Sequence, residues 1–418
     1  MPDLVPVHGG LDAPVSLTVP LSRRKQFLAE AAEFPKVELT RADLSTVYRI
    51  ADGTLSPLTG PMDEETWHYV LDHEALDYGY RHWAWTAPIS LPVTDAEAKG
   101  LRIGHSVALV HENEIVATVR LSSIFGWDKT KHIERFYGTS RTDHPGARMV
   151  LEDGRTKLIG GSLWALPQHF DPDYAEFVLS PRQTRTLIAE RRWDRALAFQ
   201  TRNPLHRAHE YALVAGVERL TSAGLFAGVV LNPLTGELKG DDVPARVRMQ
   251  CYRALHDKQL LGRGDKDENL WKQRGYDLTE VFELVGLDIK MLYGGPKEAV
   301  MHSIYRQNHG FTDIVIARKH ADAPYDDGIP IWGDFDAQEI FNNLKGDLRI
   351  KPCNIGFAAF FESAGRVALI EEHPGEKPVS ISGSMIRQLL TSGERPDARI
   401  LRPEIADILI AYYSKKPA

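Results

Sequence analysis

The eleven residues Gln200-Thr201-Arg202-Asn203-Pro204-Leu205-His206-Arg207-Ala208-His209-Glu210 follow an apolar run, Ala196-Leu197-Ala198-Phe199, and crowd anion-seeking groups into one junction. Arg202 offers a planar, permanently charged fork that suits phosphate or sulfate. Gln200 and Thr201 add further hydrogen-bond donors. Asn203-Pro204 has the form of a helix start, Asn as cap and Pro at the first helical position, with the helix running from about Leu205 to Leu220. A helix N-terminus carries free N–H groups and a partial positive charge, so the junction attracts anions before any side chain is counted. His206 and His209, three residues apart, fall on one face of the first turn, next to that anion site. Their functional reading is a pair of donors to a polyphosphate. Two other readings of H-x-x-H are a zinc pair, for which no third ligand lies nearby in sequence, and imidazoles that satisfy local backbone groups.

The elements that must hold this junction follow from the hydrophobic patterning. After Pro181, apolar strands alternate with amphipathic helices: 196–199, a helix, 226–231, a helix near 245–255, 288–293, a helix from about Pro296 to Asn308, then 313–317. Strands rich in Val, Ile and Ala and joined by helices predict a parallel sheet with right-handed crossovers, and ligands then sit at the carboxyl ends of the strands. The polar, Gly-punctuated stretch 256–280 reads as a surface excursion. Residues 1–178 read as β-rich, with short strands at 15–19, 90–94, 106–122 and 155–166; the 106–122 stretch folds about His111-Glu112-Asn113-Glu114 as a hairpin. Regular short strands of this kind suggest a small barrel or sandwich. From about residue 347 a strand, a turn and helices at 384–392 and 402–413 form a small terminal unit. The expected domains are therefore 1–178, 179–346 and 347–418.

Composition limits the function classes. The chain has 418 residues, 43% of them hydrophobic, and a formal net charge of −7 with a pI near 6.2. No long Lys/Arg run supplies a patch for a nucleic-acid backbone, so no nucleic-acid partner is expected. No signal-peptide pattern opens the chain and no uncharged apolar run approaches the roughly 18 residues of a membrane span, so a cytoplasmic location without a membrane partner is the expectation. Cys251 and Cys353 stand about a hundred residues apart, which disfavours a disulfide framework or a Cys-rich zinc site.

H-x-x-H at the start of the first helix of a parallel α/β unit resembles the nucleotidylyltransferase superfamily. The longer string Q-T-R-N-P-x-H-R-x-H-E resembles the signature of the ATP sulfurylase (sulfate adenylyltransferase) family, with every fixed position from Gln200 to Glu210 filled. YGGPKEAVMHSIYRQNHG (293–310) and SISGSMIRQLL (380–390) resemble two further family elements, and HGG at 8–10 its amino-terminal domain. One loop departs: where the family has G-R-D-H-A-G, this chain has Ala317-Arg318-Lys319-His320-Ala321-Asp322, similar to the R-K-H-A-D form of enzymes like those of sulfate-reducing organisms. Exchange of Asp for Lys319 adds two units of positive charge unless Asp322, Asp326 or Asp327 neutralises it.

The resemblance implies an α/β fold: a Rossmann-like, HUP-type parallel-sheet catalytic domain with a β-rich PUA-like N-terminal domain and a small C-terminal α/β unit. It implies transfer of AMP from MgATP to sulfate, giving adenosine 5′-phosphosulfate and pyrophosphate, reversibly, with Mg²⁺ carried on the nucleotide, no protein-bound zinc and a homo-oligomeric state. The implied catalytic residues are Thr201, Arg202, Asn203, His206 and His209. Sulfate would meet Gln200, Arg202 and the Ala321 backbone. ATP would meet Gln200 through Asn203, His206, His209, Arg318, Lys319, His320, Ser384 and Arg387, with the adenine wall in 356–361. No G-x-x-x-x-G-K-[ST] occurs, so no P-loop kinase is expected. The alternatives are a nucleotidylyltransferase with another oxyanion or phosphorylated acceptor, and a non-catalytic RNA-binding relative of PUA type.

Overall fold

The structure, a computed structural model, describes residues 4–79, 81–236, 243–379 and 381–414. Ser380, the first residue of the SISGS element, lies outside the described residues. In the N-terminal half the elements are β1 (Lys36–Glu38), α1 (Arg41–Ala51), β2 (Ala75–Asp77), β3 (His82–Ala84), β4 (Leu91–Val93), β5 (Ser106–His111), β6 (Glu114–Gly126) and β7 (Lys157–Ala165), among further short helices. One five-stranded sheet runs β1-β5-β6-β7-β4, with β1 parallel to β5 and the other pairs antiparallel. The β5–β6 hairpin turns at Glu112 and Asn113, both at positive φ (49° and 67°), the twist that a two-residue hairpin demands. Residues 15–19 are not a strand; Thr18 makes a single bridge to Ala165.

The second half holds α2 (Pro181–Arg191), β8 (Arg195–Thr201), α3 (Arg207–Ser222), β9 (Ala227–Pro233), α4 (Ala245–Asp257), α5 (Glu268–Arg274), β10 (Phe282–Leu284), α6 (Gly295–Asn308), β11 (Asp313–Ile316) and β12 (Lys351–Asn354). Its sheet is parallel throughout, in the order β10-β9-β8-β11-β12. From β8 the chain builds outward through β9 to β10, then returns to the other side of β8 for β11 and β12. The reversal falls between β8 and β11, so the loops leaving those two strands diverge around a crevice. α3 packs closely on β8: a Cβ on Gly216 would stand 2.7 Å from Leu197 Cδ2.

Four further expectations are corrected. Residues 288–293 are not a strand; the sheet takes Phe282–Leu284 instead, and the chain leaves it at Gly286 and Leu287. Asp288 is then drawn to the N-terminal half, accepting at its side chain from Ser45 (2.9 Å) and Gln168 (2.5 Å) and at its carbonyl from Arg49 (2.6 Å). The 256–280 stretch is no surface excursion: it contains α5 and buries Leu260, Leu261, Trp271 and Leu278 in the core of the parallel-sheet half. β12, expected beyond a boundary at 346, pairs with β11 and is the edge strand of the central sheet. Finally, α3 starts at Arg207 with His206 as its cap, not at Asn203-Pro204. Asn203 is withheld from capping because its carbonyl accepts from Tyr252 (2.9 Å) while its N–H is bound by Thr201 Oγ1 (3.3 Å).

The N-terminal half shares its core with the segment 287–305: Ile289, Met291, Tyr293, Val300 and Ile304 join Trp67, Trp85 and Phe136. The end of α6 is tied there as well, with Asn308 Nδ2 donating to the carbonyls of Thr54 and Ser56 and its Oδ1 accepting from the His8 backbone (3.0 Å). β13 (Ala358–Phe361) and β14 (Arg366–Leu369) form an antiparallel pair, followed by α7 (Gly383–Thr391) and α8 (Pro403–Tyr413). This terminal unit clasps the start of α3. Arg402 Nε donates to both Glu210 oxygens (3.0 and 2.8 Å), Arg207 forks onto Asp265, and the Arg207 N–H donates to the Ile400 carbonyl. Among the described residues no helix is long and apolar enough to cross a membrane.

Burial pushes the Glu210 carboxyl up, to about 7, against the pull of Arg402. Removing the guanidinium leaves a buried charge without its partner, so Arg402→Leu is expected to destabilise the fold by roughly 3–5 kcal/mol. A carboxyl whose folded pKa lies above its unfolded value of 4.5 contributes stability that is complete below 4.5 and is lost as pH rises through about 7. The deficit of the variant, read by chemical denaturation, should therefore be smaller at low pH than at alkaline pH; an equal deficit across that range would contradict this origin.

Candidate active site

β8 ends in Gln200 and Thr201, and the chain then turns sharply through Arg202 and Asn203. The turn is held from below by α4, whose Arg248 donates to the Arg202 carbonyl (2.7 Å) and whose Tyr252 donates to the Asn203 carbonyl (2.9 Å). These bonds fix the backbone and leave the side chains to the crevice. Arg202 donates to the Tyr293 hydroxyl at 3.4 Å and lies 5.5 Å from the centre of that ring. Among the described residues no carboxylate pairs with it, in contrast to Arg207 and Arg402. The Gln200 side-chain oxygen is buried and has no hydrogen-bond partner among the described residues.

His206 and His209 stack at 3.8 Å between ring centres, on the first turn of α3 as the spacing requires. His206 Nδ1 accepts from the His209 N–H at 3.4 Å, so in the neutral ring the proton sits on Nε2, free to donate outward. Desolvation, and then the neighbouring His209, lowers the His206 pKa to about 3. Desolvation lowers His209 in the same direction; its outer edge is open to solvent, which relieves part of that penalty. Both rings are thus neutral N–H donors near pH 7. Among the described residues no group of three or more His, Cys, Asp or Glu is arranged to hold a metal ion.

The Ala317–Asp322 loop leaves β11 beside this turn. Asp313 pairs with Leu197 and Ile314 with Ala198, and continuing that register sets Ile316 level with Gln200. Lys319 and Ala321 both adopt left-handed backbone (φ 54° and 55°), a conformation that costs a side-chain-bearing residue about 1–2 kcal/mol. The loop is over-determined enough to hold it: Lys319 N donates to the Asp334 carbonyl (3.0 Å), the Ala321 carbonyl accepts from Gly295 N (3.1 Å), and His320 Nε2 lies 3.0 Å from His302 Nδ1. The charge added by Lys319 is met by Asp334, which is 2.5 Å from Arg318 and 3.6 Å from Lys319. It is not met by an ion pair with the three expected aspartates. Asp326 pairs with Arg148 and Asp327 with Arg141, while the half-buried Asp322 is pushed up by desolvation. The Arg318 guanidinium covers Phe357 at 3.9 Å, which links the loop to the terminal unit; Phe357 is the exposed ring of the 356–361 stretch, whereas Phe360 and Phe361 are buried.

The third element is the start of α7. Ser382 caps α7 by accepting from Met385 N (3.1 Å), and Ser384 shares a 2.9 Å hydrogen bond with Ser382; Ser384 and Arg387 are exposed on that helix. The crevice is built from the β8 and β11 loops; α7 packs on α8, which packs on α4, while β13 and β14 pack on α3. Sequence reading missed Tyr293, Arg248, Tyr252 and Asp334. Tyr293 opens a motif already singled out, and the four-residue spacing of Arg248 and Tyr252 marks one helix face. Asp334 carried no signal, because only the tertiary fold brings it to the loop.

A parallel sheet with a reversal point, anion donors at its strand ends and a β-rich module at its N-terminus defines a nucleotide-binding α/β enzyme class. Residues 175–412 match the ATP-sulfurylase family and residues 5–168 the PUA-like domain family. A sulfate adenylyltransferase of Pyropia yezoensis is 50% identical over 420 residues, covering all of this chain and 99% of its own. A sulfate adenylyltransferase of Symbiobacterium thermophilum is 34% identical over 93% of this chain and 91% of its own length. A probable bifunctional SAT/APS kinase 2 of Sorangium cellulosum is 35% identical, this chain spanning 62% of it. Among solved structures, a hexameric APS kinase from Thiobacillus denitrificans superimposes with a TM-score of 0.70 at 20% identity, over 97% of this chain and 68% of that one, which is a likeness of fold. The chain belongs to the ATP-sulfurylase family.

Heteronuclear NMR of the imidazole nitrogens tests the electrostatics of the stacked pair. His206 is expected to stay neutral, with its proton on Nε2, through the physiological range and to titrate only near pH 3. A midpoint near 6.5 would show that the stack is not desolvated.

Proposed function

We propose that this chain is a sulfate adenylyltransferase that transfers the AMP moiety of MgATP to sulfate, releasing pyrophosphate. The observation that carries the reading is the complete Gln200–Glu210 string standing at the reversal point of a parallel sheet, in a chain that aligns end to end with curated sulfate adenylyltransferases. Sulfate is fully ionised near neutral pH, so its oxygen can attack the α-phosphorus in line, opposite pyrophosphate, without a general base. The work left to the protein is to hold two anions in contact and to stabilise the charge that moves to the leaving group.

Each donor has a task in this reading. Arg202, with no carboxylate partner among the described residues, Gln200 and the Ala321 backbone N–H take sulfate. Thr201 and Asn203 surround the α-phosphate. His206 and His209, as neutral N–H donors, face the developing pyrophosphate. Arg318, Lys319, His320, Ser384 and Arg387 enclose the nucleotide. These donors are cationic or neutral, which suits phosphate oxygens and not a bare cation; Mg²⁺ enters as the counter-ion of ATP and supplies charge neutralisation on its phosphates.

Another oxyanion or a phosphorylated metabolite would meet the same Arg202 fork, so turnover distinguishes the acceptors. The test is pyrophosphate release from MgATP with and without sulfate. Release should require sulfate, and release that ignores sulfate but follows a phosphorylated metabolite would overturn the assignment. Arg202→Ala should lower turnover by about 100- to 1000-fold, with the thermal midpoint unchanged, because the side chain stacks on one ring and lies outside the core. Near-normal turnover would mean that sulfate sits elsewhere.

A further inference from the structure

The two arms of the crevice meet at one buried carboxylate. Glu298, on the first turn of α6, is 1% exposed. Its Oε1 accepts from Leu292 N (2.8 Å) and its Oε2 from Gly294 N (2.9 Å). Those two bonds bracket Tyr293 and hold it at φ 56°, the left-handed conformation in which its ring and hydroxyl meet Arg202. One turn along the helix, His302 Nε2 lies 3.3 Å from Glu298 Oε1, an electrostatic contact without hydrogen-bond alignment, and its Nδ1 lies 3.0 Å from His320 Nε2. His302 has no exposed surface.

Proton placement along this chain follows from its one fixed end. A carboxylate beside His302 Nε2 favours the proton on that nitrogen, since the other tautomer sets two acceptors against each other. His302 Nδ1 is then an acceptor, and His320 must donate to it from Nε2. Desolvation by burial, with a smaller push from the buried Arg306 guanidinium, keeps both rings neutral. Arg306 donates from Nε to Asn232 Oδ1 (2.7 Å), and Asn232 lies level with Gln200 on the adjacent strand. The carboxylate, the two imidazoles and the guanidinium are the ionisable groups that face this chain from α6 and from the loop; Tyr305 is the further titratable neighbour on α6.

We propose that Glu298 and His302 are positioning residues for the anion site: Glu298 sets Arg202 through Tyr293, and through His302 it sets His320 and with it the Ala321 backbone. The two donors to sulfate thereby share one origin. The Gly295 N–H bond to the Ala321 carbonyl closes the same circuit, so a shift in the 292–295 turn displaces both arms together. This inference rests on the sulfate-adenylyltransferase reading of the crevice.

The experiment compares His302→Gln with His302→Leu. Glutamine can donate toward Glu298 and accept from His320; leucine fills the space with neither. His302→Leu should raise the sulfate KM about tenfold or more, since small displacements of fixed donors are costly, whereas His302→Gln should stay within about threefold of the parent. A packing role would reverse that order, and a loss of folded protein would lower kcat without moving KM. Thermal midpoints, read alongside, report folding. If His302→Leu does not fold, Glu298→Gln replaces it: one oxygen of the carboxylate becomes an NH₂ facing donors, and the same rise in sulfate KM is expected. An unchanged sulfate KM in the folded variant, or equal effects of Leu and Gln, would overturn the inference. Absence of sulfate-dependent pyrophosphate release in the unaltered chain would instead refute the activity beneath it.

Discussion

Everything in the crevice depends on the reversal of strand order between β8 and β11. Parallel strands send their carboxyl ends to one edge of the sheet, and the reversal parts the two loops that leave adjacent strands there. The turn after β8 delivers Arg202 and Gln200; the loop after β11 delivers Arg318 through Ala321. Neither is a site alone. Two mutually repelling anions need donors on both sides that do not move as charge shifts between them, and adjacent strands of a buried sheet are the stiffest available supports.

The surrounding molecule serves that stiffness. The N-terminal half is not an appendage, since it shares one hydrophobic core with the 287–305 segment and takes up Asp288 and Asn308 by hydrogen bonds. Its effect is to press the 292–295 turn against the β11 loop. The terminal unit works from the other side, gripping the start of α3 through Arg402, Arg207 and Ile400, so the stacked histidines sit on a helix end clamped at its first turn. Buried ion pairs of this kind add little net stability over apolar packing, but they hold one geometry. Strain is present at the crevice, where Tyr293, Lys319 and Ala321 all carry side chains in the left-handed region.

Much of this was legible in residue order, for identifiable reasons. The short apolar runs 196–199, 226–231 and 313–317, spaced by helices, predict a parallel sheet, and its strands form at Arg195–Thr201, Ala227–Pro233 and Asp313–Ile316. The histidine pair follows from helical spacing alone. The helix start differs because Asn203-Pro204 has the form of a cap, while the Tyr252 hydroxyl on α4 that holds the Asn203 carbonyl lies 49 residues away in sequence. The 288–293 run has the apolar composition of a strand; its burial is real, but against the N-terminal half and not within the sheet. The polar stretch 256–280 hid Leu260, Leu261 and Trp271 among charges. The partner of Lys319 was sought among nearby aspartates, and tertiary folding supplied Asp334 instead.

The central claim is that sulfate is held between the two strand-end loops, against Arg202 and the Ala321 backbone. A crystal structure with adenosine 5′-phosphosulfate bound tests it most directly. The account predicts the sulfo oxygens within hydrogen-bond reach of the Arg202 guanidinium and the Ala321 N–H, with His206 and His209 facing the side vacated by pyrophosphate. A sulfo group seated elsewhere, for instance beside Arg41 and Lys290 in the cleft next to Tyr293, with Arg202 still resting on the Tyr293 ring, would contradict it.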